Sequence, residues 1–68
     1  MTNTEEKLAD LQAAFFSVYS KVPLNIRDEI VAVIDGKPIT WNVAFIEVNA
    51  VTPKAEGILQ TLRGMSII

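Results

Sequence analysis

Glu29-Ile30-Val31-Ala32-Val33-Ile34-Asp35-Gly36-Lys37-Pro38-Ile39-Thr40 is the stretch whose reading decides the fold. As a helix, the segment from Asn25 to Ile34 would be capped by Asn25. Asp28 and Glu29 would then sit in the first turn, where negative charge meets the positive end of the helix dipole. Ile26, Ile30, Val33 and Ile34 would share one stripe, and Gly36 suits the left-handed position that closes a helix. As a hairpin, Glu29–Ile34 and Ile39–Val48 supply Val, Ile, Thr, Trp and Phe, residues that favour strands. Asp35-Gly36 between them is a hairpin signal.

Two arguments favour helices. Capping residues stand at the right places on both segments. Hairpin strands here would also be apolar on both faces, which an antiparallel pair in a tiny domain has little means to hide. The expected fold is therefore all-α, a compact bundle of four short helices. The alternative is α+β, helix–β-hairpin–helix.

C-terminal to this stretch, Thr40 to Val51 is apolar on almost every side. Thr40 is a good N-cap. Trp41, Ala44, Phe45, Val48 and Val51 make one helical face. Val43, Ile46 and Ala50 enlarge it until only Asn42, Glu47 and Asn49 remain polar. Such a helix must be covered by protein all round or must itself cover something.

Two amphipathic segments flank the centre. In the first, about Thr4 to Ser20, Thr2 with Glu5 or Asn3 with Glu6 matches a capping box. Leu8, Leu11, Phe15, Val18, Tyr19 and Val22 form its apolar stripe. Pro23 ends it by biasing Val22 away from helical angles. The last segment starts at Thr52-Pro53, a cap followed by proline at the first helical position. Ala55, Ile58, Leu59 and Leu62 mark its buried side, and Gly64 closes it. Gly57 costs about 1 kcal/mol relative to alanine in a helix interior and permits close approach of another helix. Met65-Ser66-Ile67-Ile68 is an apolar tail.

At 68 residues, with 50% apolar and a mean hydropathy of +0.32, the chain reads as one small domain rich in apolar surface. Domains near this size bury roughly 60% of their unfolded surface and are marginal alone. Disulfides, a structural metal or oligomerisation usually support them. Cysteine and histidine are absent, which removes disulfides and the usual zinc ligands. Self-association remains, and a homo-oligomer, as a dimer, is the expected partner state; another protein is the second candidate. No metal or cofactor is expected.

The net charge is −2, and the six basic residues are scattered without a cluster. Nucleic-acid binding leans on clustered positive charge, so nucleic acid is not an expected partner. No apolar run approaches the roughly 20 residues that span a bilayer, and the N-terminus lacks a signal-peptide pattern. A cytoplasmic location and no membrane partner are the corresponding expectations.

Enzymatic chemistry has little to work with. The commonest general base and the best thiol nucleophile are missing. Ser17, Ser20 and Ser66 stand in no nucleophile elbow, and the three glycines form no phosphate-binding pattern. Glu47, a charge within an apolar helix, is expected to pair with Arg27 or Arg63, or to reach an interface rim. Trp41, Tyr19, Phe15, Phe16 and Phe45 are candidates for a ligand pocket or, more simply, for core or interface area.

The functional expectation is a small non-enzymatic interaction module that self-associates through the central helix and the tail. Its interface residues would be Trp41, Phe45, Ile46, Met65, Ile67 and Ile68. The alternative is a helix-turn-helix regulator reading nucleic acid with Lys54, Gln60, Thr61 and Arg63.

Overall fold

The computed structural model describes residues 7–68. Helix α1 spans Leu8–Tyr19 and is followed by a short 3-10 turn, Leu24–Ile26. Strands β1 (Ile30–Ile34) and β2 (Lys37–Thr40) then form an antiparallel hairpin. Helices α2 (Trp41–Ala50) and α3 (Ala55–Gly64) complete the chain. The fold is α+β rather than the expected four-helix bundle, and the helix–hairpin–helix alternative fits it.

Residues 25–34 explain the difference. Four of the five β1 residues are β-branched, and such side chains lose rotamer freedom against a preceding helical turn. Asp35 and Gly36 take φ values of 53° and 76°, the pair of left-handed residues that a tight primed hairpin turn demands. The objection to a hairpin was that its outer face could not be hidden, and it is not hidden. Ile30 is 59% exposed and Val33 64%. Ala32 alone in β1 is fully buried; Val31, Ile34 and Ile39 of β2 pack partly against the core. A register shift between Ile30 and Ala32 marks a bulge at Val31, which turns two adjacent side chains, Val31 and Ala32, toward the core.

Helix α3 is the hub, packed against α1, α2 and β1. Its Ala55, Ile58, Leu59 and Leu62 meet Leu11 and Phe15 of α1, Ala44 and Val48 of α2, and Ala32. It begins at Ala55, two residues after the expected start. Thr52 does not cap it directly but folds the preceding turn, its Oγ1 accepting from the Lys54 N–H at 3.3 Å. The capping boxes expected at Thr2–Glu5 and Asn3–Glu6 lie outside the described residues.

Helices α2 and α3 end alike. In α2, the Thr52 N–H donates to the Glu47 carbonyl and the Val51 N–H to Val48, while Val51 is left-handed at φ 51°. In α3, Ile67 N–H donates to Leu62 and Ser66 N–H to Arg63, with Ser66 left-handed at φ 59°. Both are Schellman closures, whose left-handed residue is usually glycine. Gly64, the expected closing residue, sits inside α3 instead.

A β-branched residue is among the least suited to that conformation. Val51 is 55% exposed, so little packing is lost if it is shortened. Relief of roughly 1–2 kcal/mol of left-handed strain, less the extra unfolded-chain entropy of glycine, leaves Val51→Gly more stable by about 0.5–1 kcal/mol. Thermal unfolding followed by circular dichroism should show a midpoint raised by several degrees. Val51→Ala, which keeps the strain, should show no rise.

Candidate interaction surface

Helix α2 is locked at its start. Trp41 N–H donates to the Glu29 carbonyl at 3.2 Å and Asn42 N–H to that of Arg27 at 3.0 Å. Val43 N–H donates to Thr40 Oγ1 at 3.1 Å, as expected of a threonine N-cap. The first three helical N–H groups, orphans in an isolated helix, therefore all have partners. The orientation of α2 about its axis follows from these bonds.

That orientation sorts the apolar side chains. Ala44 and Val48 are fully buried, and Trp41 and Phe45 pack partly against the core. On the opposite side Val43, Ile46 and Ala50 share one face through their three- and four-residue spacing. Val43 is 39% exposed and Ile46 61%, and Ala50 is exposed too. Two of the polar residues beside this stripe, Asn42 and Glu47, are engaged within the chain, while Asn49 is exposed. Asn42 Nδ2 donates to Asp28 Oδ1 at 2.6 Å, and its Oδ1 accepts from the Tyr19 hydroxyl at 3.1 Å. Glu47 accepts from the Thr52 hydroxyl, not from Arg27 as one expectation had it.

The six residues expected at an interface thus lie in different settings. Ile46 is on the exposed stripe, and Met65 is 48% exposed beyond the end of α3. Trp41 and Phe45 face inward, and Ile67 and Ile68 fold back onto the core. Arg63 Nη1 reaches the Ile68 carbonyl at 2.6 Å. By spacing alone Val43 only enlarges the helix's apolar face; its exposure depends on the helix orientation just described.

The aromatic side chains stack on one another. Tyr19 lies parallel to Phe45 with ring centroids 4.7 Å apart. Fully buried Phe15 touches Phe16 and Tyr19 at 5.7 Å and Trp41 at 6.2 Å. They form core rather than the walls of a ligand pocket. Arg27 closes the end of this cluster. Its guanidinium lies 4.4 Å from the Tyr19 ring centroid, with Nε donating to the Val22 carbonyl at 3.1 Å and Nη2 to Tyr19 at 3.3 Å. A cation there also suits the negative end of α1.

Among the described residues no cluster of His, Cys, Asp or Glu is placed to hold a metal ion, and no helix is long and apolar enough to cross a membrane. No protein-family model, curated protein or solved structure matches the chain.

Arg27 makes three directed contacts with one planar group, which an ammonium cannot reproduce. Arg27→Lys should cost about 1–2 kcal/mol, read as a lower urea midpoint with unchanged slope. Asp28→Asn, which keeps the hydrogen-bond reach toward Asn42, should cost less than half as much.

Proposed function

We propose that this chain is a small non-enzymatic interaction module that pairs with a second copy of itself through the outer face of α2. The observation that carries the reading is the Val43–Ile46–Ala50 stripe, apolar and turned away from the chain's own core. Exposed apolar stripes rimmed by polar groups mark contact surfaces.

A second copy fits this stripe for three reasons. The stripe is uncharged, so like charges need not meet at its centre. It is also self-complementary. With two α2 helices antiparallel across a twofold axis, Ile46 lies near the axis, and Val43 of each copy meets the small Ala50 of the other. Finally, Asn42 and Glu47 already have intrachain partners, so covering the stripe orphans neither. Burial of Ile46 and Val43 would also support a domain with no disulfide and too short to gain much from its own core.

Sedimentation velocity across a range of micromolar concentrations tests this. The native chain should move from monomer to dimer, and Ile46→Asp should stay monomeric. A central anchor is worth at least about 2 kcal/mol, roughly a 30-fold weaker association. Asn49→Asp, a charge change beside the stripe, should weaken pairing far less. A native chain that remains monomeric throughout, or an Ile46→Asp dimer of native affinity, overturns the proposal.

A further inference from the structure

A cleft of about 260 Å³ opens between the hairpin and the first turn of α3, and no residue of α2 lines it. Its apolar surface comes from Ile34, Ile39, Pro53 and Ile58, and Gly57 forms part of the wall. Lys37 and Lys54 stand at it, with Asp35 as the single acid. Among the described residues neither ammonium group has a hydrogen-bond or ion-pair partner. Two lysines against one aspartate leave the cleft net positive in a chain whose overall charge is −2.

Gly57 is a second, separate observation. It lies inside α3, where glycine lowers helix stability relative to alanine. Nothing within the fold calls for it: a Cβ placed there would meet no atom within 4 Å, and its φ is not left-handed. Gly57 instead lines the cleft, and it puts no side chain into it.

We infer that this cleft binds a small monoanionic amphiphile, a carboxylate on a short aliphatic body. The body would lie against Ile34, Ile39 and Ile58, with Gly57 giving it room, and the carboxylate would sit between Lys37 and Lys54. Apolar walls with a few convergent polar groups are the usual make-up of small-molecule sites. A volume of about 260 Å³ gives room for a short aliphatic carboxylate such as hexanoate. The single excess positive charge matches one carboxylate better than a dianion.

Amide chemical shifts of the full chain, titrated with sodium hexanoate, test the assignment. Hexanoate should move the amides of Gly57, Ile58, Ile39 and Lys37 saturably, with a Kd on the order of 1 mM for so small a ligand. Hexanol, lacking the charge, and acetate, lacking the body, should each bind at least about tenfold more weakly. Gly57→Leu, which fills the cleft and favours the helix, should abolish the shifts while keeping a folded spectrum. Lys37→Glu with Lys54→Glu should do the same through charge. The inference is overturned by shifts that do not saturate or that spread over α1, by hexanol binding as tightly as hexanoate, or by Gly57→Leu binding normally. Repeating the titration on Ile46→Asp separates this outcome from that of self-association.

Discussion

The arrangement of the chain depends on how α2 begins. A helix that starts directly from a strand has no loop in which to satisfy its first N–H groups, so the partners must come from elsewhere. Here they come from the carbonyls of Arg27 and Glu29 and from Thr40 Oγ1. The segment before β1 is thereby tied to the residues after β2, and the hairpin is closed at its base by the helix it feeds.

Side chains of the same residues extend that tie to α1. Arg27 gives its carbonyl to Asn42 and its guanidinium to the end of α1, while Asn42 links Asp28 to the Tyr19 hydroxyl. Tyr19 then stacks on Phe45 of α2. One junction thus fixes the mutual positions of α1, the hairpin and α2. It also determines which half of an almost wholly apolar helix is buried. Had α2 been rotated by half a turn, Trp41 and Phe45 would be outside and Ile46 inside.

Much of this was legible from local chemistry. Thr40 as a cap, the inward Leu11–Phe15 stripe and the Ile58–Leu59–Leu62 side of α3 follow from spacing that a single helix imposes. Residues 25–34 did not yield to the same reasoning, because Asn25, Asp28 and Glu29 look like the start of a helix. In the structure Arg27 and Glu29 instead offer carbonyls to α2, and Asp28 accepts from Asn42. Those are long-range bonds that no local pattern contains. The assumption that a small domain must hide both faces of a hairpin also failed, since Ile30 and Val33 are left in solvent. The exposed part of α2 was equally out of reach, because periodicity cannot orient a helix that is apolar all round.

The interior obeys its rules closely: among the described residues, no buried side-chain polar atom lacks a hydrogen-bond partner. Departures from local preference gather on the surface instead. Val51 is β-branched in a left-handed closure, Gly57 is a helix-interior glycine without a close neighbour, and Ile46 is a large side chain turned to solvent. A sequence shaped only for folding would replace each of them at a gain, since none is held by internal packing. Residues that break local rules without an internal compensation are the expected mark of external contact. Ile46 stands on the exposed apolar stripe of α2, and Gly57 lines the positively charged cleft beside α3, to which no residue of α2 contributes. The two surfaces share no residue and differ in charge, so a substitution at Ile46 and one at Gly57 act on different atoms.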